Sequence, residues 1–81
     1  MPRYYFDVRD GDELMVDNEG VEFDDLEAAR REGATGLAEM ALGILPSATE
    51  RQIVMEVRSE QEGILLRCSL SFDVQRLQGT G

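Results

Sequence analysis

The stretch Asp24–Leu45, DDLEAARREGATGLAEMALGIL, constrains the fold of this chain more than any other, because its apolar residues repeat with helical spacing over a full helix length. Leu26, Ala29, Gly33, Leu37, Met40, Ala41 and Ile44 recur at intervals near three and four, so they share one face of a 3.6-residue period. Asp24 is the expected N-cap, with Glu27 three residues on at the capping-box position. Asp25 and Glu27 suit the positive end of the helix dipole, and Glu27 can meet Arg31 four residues later. Gly43 is a candidate C′ residue and Pro46 excludes continuation, which puts the end of the helix between Leu42 and Leu45. Inside an exposed helix Gly33 and Gly36 would each cost roughly 1 kcal/mol against alanine. Their presence is therefore expected to mark close packing against a sheet or a second chain.

A helix with one apolar face needs a surface to cover, and the flanking segments read as strands. Tyr4, Phe6 and Val8 alternate with Tyr5, Asp7 and Arg9, the period-two signal of a strand with one covered face. Asp10-Gly11 is a hairpin turn signal, and Glu13 to Asp17 returns with Leu14 and Val16 in one phase and Met15 between them. A hairpin over about 3–17 is predicted. Asn18-Glu19-Gly20 marks a second turn, and Val21 to Phe23 makes a short extended return to the helix, expected over about 24–44. Beyond Pro46, Ile53, Met55 and Val57 alternate with Val54, Glu56 and Arg58, and the polar break Ser59–Gly63 ends in a glycine suited to a left-handed position. Ile64, Leu66, Cys68, Leu70 and Phe72 then share one face, opposite Leu65, Arg67, Ser69, Ser71 and Asp73. The second hairpin is predicted over about 52–73, followed by a flexible tail over about 75–81.

These pieces make one β-β-α-β-β domain of the α+β class, a two-layer unit in which a single helix covers one face of a four-stranded antiparallel sheet. Strand order stays open. Tyr5, Met15, Val54 and Leu65 leave apolar material for the other face, which makes them a candidate interaction surface. A homodimer is expected from them, because a chain of 81 residues buries only about 60–65% of its unfolded surface.

Charge and composition exclude several partners. Seventeen acidic groups stand against eight basic ones, for a formal net charge of −9, so the phosphate-binding stripe of a nucleic-acid protein is missing and nucleic acid is not an expected partner. The longest apolar run, Met40 to Leu45, is far short of the roughly 20 residues that cross a bilayer, and membrane attachment is not expected. Cys68 is the single cysteine, and no secretory apolar region precedes the first charged residues. A cytoplasmic location is the expectation.

Chemistry finds little to build on. Without histidine there is no Ser-His-Asp or Cys-His relay, and Cys68 lies on the inward phase of a strand as a small core residue. Asp7, Glu56 and Asp73 could supply a carboxylate pair on one sheet face. The acidic residues Asp10, Asp12, Glu13, Asp17 and Glu19 lack the ligand spacing of a calcium loop and read as a solvated face. Gly33-Ala34-Thr35-Gly36 lacks both the preceding strand and the Lys-Ser/Thr ending of a phosphate-binding loop. Tyr4, Tyr5, Phe6 and Phe72 read as core aromatics, since no basic surround accompanies them. No catalytic residue, metal ligand or cofactor is assigned.

The opening Pro2-Arg3-Tyr4-Tyr5-Phe6-Asp7-Val8-Arg9-Asp10-Gly11, with Gly20-Val21-Glu22 and Asp25–Glu32, resembles a family of short uncharacterised bacterial proteins found largely in rhizobia and related proteobacteria. The resemblance continues more weakly through Arg51–Val57 and Ser69–Asp73. It implies a β-β-α-β-β domain and carries no activity, cofactor or catalytic residue across. Where such proteins often have histidine and alanine, this chain has Asp7 and Gly33.

The functional expectation is a noncatalytic protein-interaction or regulatory module that self-associates, with an unidentified protein as a further partner. The alternatives are a structural or stress-associated protein and, behind that, a small-ligand protein or enzyme working through acidic side chains.

Overall fold

The computed structural model describes residues 1–78. Within them the chain is α+β, in the order β1 (Arg3–Asp10), β2 (Glu13–Met15), β3 (Val21–Glu22), α1 (Leu26–Ile44), β4 (Glu50–Ser59) and β5 (Gly63–Asp73), with a 3-10 turn at Leu45–Ser47 after the helix. The strands pair antiparallel in the order β2-β1-β4-β5, and β3 also pairs with β1. Five strands thus occupy the four positions expected. β2 pairs with the far end of β1 (Val8↔Met15 to Asp10↔Glu13) and β3 with its beginning (Arg3↔Glu22, Tyr4↔Val21).

Side chains replace the ladder in the gap between β2 and β3. The Phe6 backbone N–H donates to Asp17 Oδ2 at 3.1 Å, and the Asp17 N–H donates to Asp7 Oδ1 at 2.9 Å. The loop then turns through Gly20, whose φ of 71° belongs to the left-handed region. A β-carbon there would also meet the Tyr4 carbonyl oxygen at 2.9 Å and Tyr5 Cε2 at 2.8 Å.

The helix starts one residue later than expected. Asp25 is the N-cap, extended at φ −157°, and its carboxylate accepts the Ala28 N–H at 2.9 Å. Asp24 is displaced from that role because Phe23 is held to the N-terminal segment by its N–H bond to the Pro2 carbonyl, leaving Asp24 and Asp25 to make the bend. Glu27 is taken mainly by Arg30, with two hydrogen bonds of 2.7 and 2.8 Å, while Arg31 stands at 3.9 Å. Gly43 does not terminate the helix, which runs on to Ile44 and tightens into the Leu45–Ser47 turn, where Pro46, having no N–H, ends the α-helical ladder.

Ala29, Gly33, Leu37 and Ala41 are the buried helix positions, as the periodicity demands. They cover two clusters, Val8, Leu37, Ile53 and Met55 on one side and Tyr4, Ala29 and Val57 on the other, with Phe6 packed against both. Phe23 meets Phe6 edge-on at 6.0 Å and Tyr4 at 6.4 Å between ring centroids, which closes the N-terminal end of the core.

β5 departs from the alternation read along it. A register shift opposite Val57 and Arg58 places Arg58 across from Ile64 and Val57 across from Leu66, leaving Leu65 unpaired. Ile64 consequently faces away from the helix and is exposed, while Leu65 joins Leu66 beside the cluster of Tyr4, Ala29 and Val57. Residues 75–78 carry neither strand nor helix, and residues 79–81 of the expected tail lie outside the described residues.

Candidate interaction surface

The helix covers one face of the sheet, and the opposite face is built from the alternate residues of each strand. Tyr5↔Arg58, Asp7↔Glu56 and Arg9↔Val54 are cross-strand partners there, and Arg67 of β5 lies opposite Glu56. The two carboxylates Asp7 and Glu56 are therefore brought together, whereas Asp73 pairs with Glu50 at the far end of the sheet. Each of the two has its own arginine. Arg58 Nε donates to Asp7 Oδ2 at 2.7 Å and Arg67 Nε to Glu56 Oε2 at 2.8 Å. Asp7, Arg9, Leu14, Val54, Glu56 and Arg67 line a shallow hollow on this face.

A second network fixes the loop beside it. Burial pushes the Asp17 carboxyl up, but hydrogen bonds from the Gly20, Phe6 and Glu19 N–H groups and the nearby Arg58 charge outweigh burial and hold it below the ordinary carboxylate range. Arg58 also donates to the Asp17 carbonyl at 2.9 Å and lies 4.6 Å over the Tyr5 ring. The Tyr5 hydroxyl donates to Glu60, and this hydrogen bond, with burial and the carboxylate's charge, raises the tyrosine pKa above its usual range. At the opposite end of the sheet Arg51 makes two hydrogen bonds to Asp10, of 2.7 and 2.8 Å, and these lower the Asp10 carboxyl. Asp7, Asp10 and Asp17 of the first hairpin are thus organised by arginines and backbone N–H groups. Among the described residues no three potential ligands converge as a metal site would require.

The four residues nominated from sequence occupy different surroundings. Tyr5 is on the uncovered face but only 7% exposed, beneath Arg58 and the Gly20 turn. Val54 lies on that face, half-buried in the shallow hollow. Met15 pairs with Val8 and belongs to the helix side, and Leu14, one residue earlier, takes its place in the hollow. Leu65 is turned to the core by the bulge. Gly33 does mark a close approach, since a β-carbon on it would lie 3.2 Å from Met55 Sδ and 3.3 Å from Phe6 Cε2, but Gly36 has room, with Met55 Cε at 3.8 Å.

The sequence pattern did not single out the two edges. One edge is broken into β2 and β3, three and two residues long, with the Asp17 loop between them. The other is β5, an eleven-residue strand at the end of the sheet order whose only strand partner among the described residues is β4. Beside it on the helix side, Ala41, Leu42, Leu45, Pro46 and Phe72 form an apolar shelf, with Leu42 77% exposed. Its signal in the sequence was available: Leu42 falls off the helix's apolar stripe, yet it is a large aliphatic.

Among the described residues no helix is long and apolar enough to cross a membrane. No curated protein and no solved structure matches the chain. A family model described as a domain of unknown function does match, over residues 3–71, from the start of β1 almost to the end of β5. The chain belongs to this family, the domain of unknown function DUF6894.

Proposed function

We propose that the domain is a noncatalytic interaction module of the bacterial cytoplasm that works as a self-associated assembly, most simply a homodimer. The observation that carries this reading is the unequal treatment of the two sheet edges. A long regular edge strand exposes a row of backbone donors and acceptors, and soluble proteins ordinarily shorten, break or cover such an edge. This chain breaks one edge and leaves β5 regular from Leu66 to Asp73, past its bulge at Leu65, beside an apolar shelf. The shape supports the same reading, since the radius of gyration is 15.1 Å where a compact chain of this length has about 12 Å. A thin, elongated slab with few fully buried side chains gains most from a partner.

A noncatalytic role is favoured by the state of the candidate carboxylates. Asp7 and Glu56 are neighbours, but each is engaged by its own arginine, so the two do not form the directly paired carboxylates of an acid-base site. Sedimentation equilibrium from about 1 µM to several hundred µM tests the assembly. A mass rising from monomer to dimer is expected, and a monomer mass throughout would sink the reading.

A further inference from the structure

We infer that two copies join through β5 in one register, antiparallel about a two-fold axis at Leu70, and that Arg67 of each copy meets Asp73 of the other. This rests on the self-association proposed above and specifies its surface.

Cross-strand neighbours in a pleated sheet lie on the same face, so an antiparallel pairing of a strand with its own copy must be centred on a residue. Centred on Leu70, the pairing sets Arg67 against Asp73, Cys68 against Phe72 and Ser69 against Ser71, each twice by symmetry. Arg67 and Asp73 are on the face away from the helix, as their β4 partners Glu56 and Glu50 require. The ion pairs close on that face, while Cys68, Leu70 and Phe72 meet on the helix side. Centring on Ser69 would set Asp73 against Leu65, and centring on Ser71 would set it against Ser69. Neither satisfies a charge.

Each charged group is available. Arg67 is 64% exposed and holds only Glu56 among the described carboxylates, so its guanidinium can keep that contact and accept another. Asp73 is exposed, with Gln75 donating to it. The complementarity matters because each copy carries a net charge of −9 and two copies repel at long range. The stretch Leu66–Asp73 is also regular, since the register shift lies before it, opposite Val57 and Arg58. It contains neither proline nor lysine, the residues that commonly guard an edge. Pairing would produce one sheet of eight strand positions with both helices on the same face. The shelves of Leu42, Leu45, Pro46 and Phe72 would then flank the junction.

Charge reversal in separate chains distinguishes this register from any other. In the Arg67→Asp variant both junction pairs become acid against acid, and in Asp73→Arg both become base against base. Each variant alone is expected to dimerise roughly tenfold more weakly than the parent or worse. Mixed together, the two variants regain opposite charges at both pairs and should form a heterodimer of parental strength. Sedimentation of the parent, each variant and the mixture reads the association. Far-UV circular dichroism verifies that each variant is folded.

Amide exchange provides a second readout on the unaltered protein. Residues 66–74 should exchange more slowly at high concentration than at low. A parent that is monomeric at every concentration overturns both the self-association and this register, and leaves the edge for an extended segment of another protein. A parent dimer that survives both reversals, a mixture that fails to recover, or exchange over 66–74 indifferent to dimer formation overturns the register alone.

Discussion

Gly33 lies directly over Met55: a β-carbon added to the glycine would come within 3.2 Å of the methionine sulfur, and within 3.3 Å of Phe6 Cε2. Both neighbours are packed in the core, Met55 at 5% exposure and Phe6 against Phe23, so neither can move without loss. Three residues on, a β-carbon at Gly36 would make only ordinary contact with Met55, at 3.8 Å. Alanine gains about 1 kcal/mol over glycine in a helix interior. Gly36→Ala should therefore raise the melting temperature, by up to about 4–8 °C for a domain of this size. Gly33→Ala should forfeit that gain to overpacking. Equal stabilisation by the two substitutions would show that the helix does not approach the sheet closely at Gly33.

Gly20 combines two demands that only glycine meets. Its φ of 71° penalises a side chain, and the space where a β-carbon would sit is occupied by the Tyr4 carbonyl, Arg3 Cγ and the Tyr5 ring, all within 2.9 Å. Gly20→Ala should destabilise the domain by about 1–3 kcal/mol. Gly11 also has a positive φ, of 62°, but nothing crowds it, so Gly11→Ala should cost no more than about 1–2 kcal/mol from conformation alone. Urea denaturation of the two variants separates them, and an equal midpoint would refute the crowding at Gly20.

The difference between those glycines shows where sequence reasoning stops. Turns at Gly11, Gly20 and Gly63 and the buried helix face from Leu26 to Ile44 were legible, because local conformation and period depend on residues near in sequence. Asp17 was not. Its composition matched a solvated acidic cluster, and only the approach of β1 turned its carboxylate into a substitute for missing strand hydrogen bonds. The phase of β5 failed at Leu65 for a related reason: the apolar alternation continues unbroken through a bulge that depends on β4. Asp7 and Glu56 were correctly suspected of sharing a face, but their arginines come from positions that no periodicity links to them. The open β5 edge needed the strand order, which the sequence left undetermined.

Adjacent acids at the helix start give a local test. Asp25, not Asp24, accepts the Ala28 N–H, so Asp25→Ala should cost about 0.5–2 kcal/mol. Asp24→Ala should stay within about 0.5 kcal/mol of the parent. Thermal unfolding of both variants measures the contrast, and a larger loss at Asp24 would return the cap to that residue.

Asp10 and Asp17 both have folded-state pKa values below their ordinary range, Asp10 through Arg51 and Asp17 through hydrogen bonds and Arg58 that prevail over burial. For a depressed carboxyl, the unfolded chain binds more protons, so the stabilising contribution is complete above the ordinary value, about 3.9, and is lost as pH falls through the folded value. Stability should fall on acidification below about pH 4, and Asp17→Asn should fall less steeply there than the parent while being less stable at pH 7. Comparing variant with parent cancels the general effect of protonating the other acids. Parallel curves over pH 3–6 would show that the Asp17 linkage is absent.

Arg58 ties together three groups that a lysine cannot hold at once. Its guanidinium reaches Asp7 Oδ2 at 2.7 Å and the Asp17 carbonyl at 2.9 Å while stacking over Tyr5 at 4.6 Å. A planar fork can serve both oxygens and the ring, whereas an ammonium is a point charge on a flexible stem. Arg58→Lys should lower the melting temperature and speed amide exchange across the Val16–Gly20 loop, since the Asp17 carbonyl loses its donor. Arg30 is a fitting control, because among the described residues its only ion-pair partner is Glu27, on an exposed helix face where pairs contribute little. Arg30→Lys should leave both measurements unchanged. If Arg58→Lys behaves like Arg30→Lys, charge alone suffices at that position and the fork geometry has no role in holding the loop that splits this edge of the sheet.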